Sequence, residues 1–158
     1  MNGSEGRRRG GPGAILPPPL VFLGALAAGL LASYLSPLEV LPAGENYLCL
    51  PVLLAGLILA GYAVRTLVRS GASPDPREET AAFVTAGPYR FTRNPIYLGF
   101  AISYAGAALF ANSAWALFLL VPVMLYIDLY QVRREERYLS SKFGEEYSRY
   151  ARRVRRWL

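Results

Sequence analysis

Residues able to do chemistry concentrate in two short stretches of this chain. The first is Gly87 to Gly99, GPYRFTRNPIYLG, which sets Tyr89, Arg90, Arg93, Asn94 and Tyr97 around the start of an apolar run at Pro95. The second closes a later apolar run and supplies Asp128, then Glu135 and Glu136. On a continuing helix Asp128 and Glu135, seven residues apart, lie two turns apart on one face. Arginine and tyrosine facing such carboxylates can bind an anion, orient a polar ligand or manage a proton. At the edge of a membrane span each of these groups needs a partner or an aqueous cavity, which marks the cluster as a functional site. Plainer roles exist for the same residues. Arg93 with a glutamate can be an ion pair that pins two helices, and Tyr89 and Tyr97 can be interfacial belt residues.

The missing residue types narrow the chemistry. There is no histidine, so the commonest general base and the commonest metal ligand are both absent. Cys49 is the only cysteine and sits in an apolar run, which rules out an internal disulfide and a cysteine-based metal site. No metal is expected. The formal charge of +6 raises nucleic acid as a partner, but the basic residues flank apolar runs instead of covering a soluble domain. A membrane-side charge bias explains them better, and no nucleic acid is expected.

The elements that must position these residues are read from the apolar blocks. Of 158 residues 53% are hydrophobic, and they gather at 16–35, 47–68, 95–110 and 114–130. A membrane helix needs about 20 apolar residues. The expected fold is an all-α integral membrane protein of about four transmembrane helices. The short third and fourth spans form a hairpin joined by Ala111, Asn112 and Ser113, and a cytoplasmic amphipathic helical segment follows over 131–158. Residues 1–15 read as a disordered basic tail and 16–158 as one domain. Arg7 to Arg9 could open a signal peptide, but the first apolar block is long for one and no cleavage site follows, so it is expected to be retained as a span. The loops 36–46 and 111–113 contain no Lys or Arg, while all 17 basic residues fall on the other side. The positive-inside rule then puts both termini in the cytoplasm, together with the connector from Ser70 to Arg93 that carries Pro74, Pro76, Asp75, Glu78 and Glu79. In the last segment Val132, Leu139, Phe143, Tyr147, Tyr150, Val154 and Trp157 recur at helical intervals, with Gly144 expected to split the helix in two. Such a stripe suits a helix lying on anionic lipid and equally a lid over the cytoplasmic mouth of the bundle.

GPYRFTRNPIYLG, followed by REERYLSSKFGEEYSRYARRV, resembles the isoprenylcysteine carboxyl methyltransferase family and its phospholipid N-methyltransferase relatives. The resemblance covers about Phe83 to Arg156; the earlier spans match only in character. It implies an integral-membrane methyltransferase that uses S-adenosylmethionine on a lipophilic or prenylated substrate at the cytoplasmic face. Carried over residue by residue, Tyr89, Asn94, Pro95, Ile96 and Tyr97 border the cofactor, and Leu98 and Gly99 permit its close approach. Glu135 binds its polar end with Glu136 in support, and Phe83 and Val84 add an upstream contact. Arg93 and Glu135 are the catalytic candidates, and Arg133, Arg134 and Asp128 are the substrate candidates. Three positions depart from the family pattern. Asn94 stands where many members have His, Gln131 where the eukaryotic enzymes tend to have a substrate-binding Arg, and Arg155 where a Pro is usual. The second departure weakens an assignment to prenylcysteine.

Methyl transfer from a sulfonium is an in-line displacement whose difficult chemistry belongs to the cofactor. A carboxylate acceptor is already ionised near neutrality and needs no base, so the lack of histidine favours O-methylation over transfer to an amine. A phospholipid or amine N-methyltransferase is the nearest alternative. From other classes, an NADPH-dependent sterol-reductase-like enzyme shares the C-terminal pattern, and a non-catalytic membrane scaffold is the third reading.

Overall fold

A computed structural model describes residues 16–42, 44–72 and 83–158. The expected basic tail and residues 73–82 of the Ser70–Arg93 connector, including Pro74, Pro76, Asp75, Glu78 and Glu79, lie outside them. Five helices follow in order: α1 Pro18–Leu35, α2 Leu50–Arg69, α3 Pro95–Phe110, α4 Ala114–Tyr126 and α5 Arg133–Arg153. Short 3₁₀ turns at Asn46–Cys49 and Gly87–Arg90 lead towards α2 and α3, and a π-helical segment at Ile127–Val132 joins α4 to α5. Proline stands in the first two positions of α1, α2 and α3, where its missing N–H is no loss.

The protein is an all-α integral membrane protein. Pro18–Leu35, Asn46–Arg69 and the helix beginning at Ala114 are long and apolar enough to cross a bilayer. The third expected span, α3, has 16 residues and falls short of that length. It lies among the others, with its main packing on α2, while α4 packs chiefly on α1. Leu23, Leu31, Leu54, Leu57, Ile58, Phe118 and Val121 stay exposed, as lipid-facing residues must.

Hydrocarbon offers no hydrophobic drive between helices, so close backbone approach has to hold them. A Cβ on Gly106 would meet Leu53 N at 2.3 Å, and one on Gly56 would meet Ser103 N at 2.3 Å. On the other pair, a Cβ on Gly29 would meet Ala116 Cα at 2.4 Å. Phe22, Tyr97, Tyr104, Ala108, Ala116, Val123 and Ile127 form the core between the pairs.

The two base-free loops meet at one end. Asn112, with φ 51°, turns the α3–α4 connection, and its Oδ1 accepts from Val40 N at 2.9 Å and Leu41 N at 2.8 Å. Ser113 caps α4 by accepting from Ala116 N at 3.1 Å, and Trp115 Nε1 donates to Ser36 O at 2.8 Å. The arginine-bearing ends of α3 and α4 therefore lie together at the other end, as the hairpin reading requires. Replacing Gly106 with leucine is expected to cost about 1–3 kcal/mol by overpacking α2 on α3. A clear fall in the thermal midpoint of purified protein in detergent checks this; an unchanged midpoint would remove Gly106 from the contact.

Candidate functional site

The π-helical segment sets the geometry here. Its i→i+5 bonding adds a residue to the turn and shifts the phase of everything after it. Asp128 and Glu135 consequently do not share partners as a regular helix would have it. Glu135 Oε1 accepts from Tyr97 Oη at 2.5 Å and from Gln131 Nε2 at 2.9 Å. Glu136, on a different face of α5, takes the arginines. Arg93 Nη1 lies 2.9 Å from its Oε1, and Arg156 grips it twice, Nε at 3.1 Å and Nη2 at 2.7 Å. Asp128 accepts from Trp157 Nε1 at 3.0 Å, with Arg156 Nη1 at 3.5 Å and Arg133 Nε at 3.4 Å. The cluster expected from Arg93, Asp128, Glu135 and Glu136 thus divides into two linked clusters, with Arg93 paired to Glu136.

The chain's last residues build much of this. α5 ends at Arg153, so Val154 and Trp157 belong to an extended return and not to the helical stripe expected for them. Arg155 O accepts from Arg93 N at 3.0 Å. Arg156 O accepts from Thr92 Oγ1 at 2.9 Å and Asn94 Nδ2 at 3.0 Å. Asn94, expected to border a cofactor, spends its amide on this clasp. Trp157 packs against the main core beneath it.

The remaining expected site residues divide by contact. Phe83 rests edge-on against Phe143 and Tyr147, with ring centroids 5.0 and 5.8 Å away, and tilts over Tyr150. Val84 and Tyr89 are buried with Ala63 and Ala72, and Ile96 packs beside them. Pro95 is fully buried, and Leu98 is half-buried. Gly99 does allow a close approach, but of α2: a Cβ there would meet Ala60 N at 2.6 Å. Arg134 is exposed and joins neither cluster. Sequence reasoning missed Arg156, Trp157 and Thr92 as members of the site. An indole N–H at the last position of the apolar stripe was the available signal, since a tryptophan packed against a core needs an acceptor.

The electrostatics follow from burial. Desolvation lifts the hydroxyls of Tyr89, Tyr147 and Tyr150 above the ordinary phenol range, so they remain donors; Tyr150 Oη donates to Tyr89 O at 2.7 Å. Burial also pushes the Glu135 carboxyl up, against the opposing pull of its bonds to Tyr97 and Gln131. Arg156 is held above its usual range chiefly by its hydrogen bonds to Glu136. The Nε of Arg93 is buried and has no acceptor among the described residues. Arg93, Glu136 and Arg156 also wall an open cleft of about 590 Å³ with Leu129, Arg133, Arg137, Ser140 and Tyr147. The arrangement can hold a polar ligand beside Glu136, and the Glu135 carboxyl can take up or release a proton.

A family model described as phospholipid methyltransferase matches residues 46–146. Over 63 residues the chain is 40% identical to an uncharacterized protein of Haemophilus influenzae, covering 40% of this chain and 79% of that one. Over 111 residues it is 29% identical to a protein-S-isoprenylcysteine O-methyltransferase of Schizosaccharomyces pombe, covering 69% of this chain and 45% of that enzyme. The chain therefore spans less than half that enzyme's length. The matched segment takes in Tyr97, Gln131, Glu135 and Glu136 and stops short of Arg156 and Trp157.

A raised Glu135 carboxyl binds its proton more tightly in the folded state than in the unfolded one. Its contribution to stability is therefore lost as pH rises from the ordinary carboxylate range through the raised value. Glu135→Gln, which can still accept from Tyr97, is expected to gain stability over the wild type across that window. Thermal unfolding as a function of pH checks this; a difference that does not change with pH would contradict it.

Proposed function

The chain belongs to the phospholipid methyltransferase family, and from that premise we propose that it is an S-adenosylmethionine-dependent methyltransferase acting on a lipophilic acceptor. The observation that carries the reading is the convergence of Tyr97 and Gln131 on Glu135, within the matched segment. The acceptor in this proposal is a carboxylate, as in an isoprenylcysteine carboxyl O-methyltransferase-like reaction. Both termini face the cytoplasm, the cofactor enters from water and the acceptor enters from lipid.

The residues present suit that cofactor. Tyr89, Ile96, Tyr97, Leu98 and Glu135 would hold it, with Glu135 accepting from its donor groups. The buried Nε of Arg93, without an acceptor among the described residues, is a donor that an α-carboxylate would satisfy. When bound, the cofactor supplies a methyl group on a sulfonium, open to in-line displacement. Phe83, Val84, Pro95 and Gly99 act as framework. Asn94 acts at one remove, by fixing the return of the chain over the start of α3. Glu136 keeps Arg93 in register, and Asp128 is held by Arg156 and Trp157.

Two demands remain for the protein, alignment and exclusion of water. The rigid α2–α3 contact serves the first, and the clasp of the C-terminal return on residues 92–94 serves the second. A carboxylate acceptor asks for no base. An amine acceptor must lose a proton, and Glu135, raised by burial and bonded to Tyr97, is the group positioned to take it. That makes N-methylation the second reading.

Thermal-shift titration with S-adenosylhomocysteine, NADPH and buffer separates the classes. Stabilisation by S-adenosylhomocysteine alone is expected. Stabilisation by NADPH alone would select a reductase, and by neither a scaffold. Glu135→Ala and Arg93→Ala are expected to lose this stabilisation and at least 100-fold of turnover, roughly 3 kcal/mol, while still eluting as folded protein. Wild-type methyl transfer by either variant in detergent would sink the proposal.

A further inference from the structure

The open cleft beyond Glu136 is not needed for the contacts of Glu135. Its wall carries four guanidinium groups, Arg93, Arg133, Arg137 and Arg156, against one carboxylate, Glu136. Asp128 lies behind Arg133 and Arg156, at 3.4 and 3.5 Å, and offsets one further charge. Arg137 has no carboxylate partner among the described residues and is exposed, as is Ser140 one turn on. The cleft is therefore left with a surplus of positive charge and free donors.

Its other end is apolar. Leu129 lines it at 45% exposure. From there Leu125, Val121 and Phe118, 57%, 61% and 60% exposed, continue along one face of α4 into the hydrocarbon zone. Their spacings of about three to four residues keep them in one stripe. A surplus of arginine at the mouth of an apolar track matches an amphiphile with an acidic head. Guanidinium groups recognise phosphate and carboxylate oxygens through paired N–H bonds.

We propose that this cleft binds an acidic phospholipid of the bilayer, with its phosphate on Arg133 and Arg137 and an acyl chain along Leu129, Leu125, Val121 and Phe118. Arg93 and Arg156, fixed by Glu136, form the back of the headgroup site. The proposal shares Arg93 with the methyltransferase site proposed above, but it is read by binding alone and tested by substitutions confined to Arg133 and Arg137.

The test is a titration of the full chain in neutral detergent with dansyl-labelled phosphatidylglycerol, followed by energy transfer from the two tryptophans, Trp115 and Trp157. Saturable binding is expected, and Arg133→Gln with Arg137→Gln should weaken it about 25-fold, about fivefold per arginine. Arg133→Lys with Arg137→Lys should recover most of it. The control pair Arg149→Gln with Arg153→Gln, exposed on α5 outside the cleft wall, removes the same charge and should change it less than about twofold. Equal weakening by both glutamine pairs would overturn the site in favour of diffuse attraction. Equal binding of dansyl-phosphatidylcholine would leave only the apolar track. Displacement of the lipid by an equal concentration of inorganic phosphate would mean a free-anion site instead.

Discussion

One carboxylate shared by two arginines organises the functional end of this protein. Arg93 arrives from the segment before α3 and Arg156 from the extended return after α5, and both end on Glu136. Ions at a membrane edge are costly unless their charge and their hydrogen bonds are met together. The return meets that condition with main chain as well as side chain, since the carbonyls of Arg155 and Arg156 take donors from Thr92, Arg93 and Asn94. Once those three residues are fixed, the direction in which α3 leaves is fixed too, and with it the reach of Tyr97 to Glu135.

The two ends of the bundle are fastened by different means. At the end without basic residues, the loops are joined by neutral bonds from Asn112 and Trp115. At the other end, ion pairs and a strand-like return do the same work. Between them the helices hold by backbone proximity at Gly29, Gly56 and Gly106. None of the bonds at the charged end lies in those glycine contacts.

The helices themselves were legible in the sequence, because apolar blocks and prolines mark their extents to within about four residues. The hairpin was legible too, from three polar or small residues between two short blocks. Gly144 was read as an interruption, and the backbone there does leave the helical region. The partners of Glu135 and Glu136 were not legible. Counting 3.6 residues per turn through Ile127–Val132 gives the wrong face, and no residue in that stretch announces a π-helical turn. Gly99 carried a misleading signal, since a glycine at a candidate site and a glycine at a helix contact look the same in one sequence. The Arg155–Trp157 return was hidden because Val154 and Trp157 continue the helical spacing after the helix has ended.

Gly144 has a consequence for how far this end of the molecule tolerates change. Its φ of 53° and ψ of −122° belong to a region that side chains other than glycine's hydrogen disfavour. Beyond it, the nine residues to Arg153 make an arm of about 14 Å. A small error in the angle at the pivot is multiplied along that arm before the chain turns back at Val154. The pivot glycine has open space where an added Cβ would stand. It therefore acts as a goniometer: the aim of Arg156 and Trp157 is set by a residue that makes no contact with either.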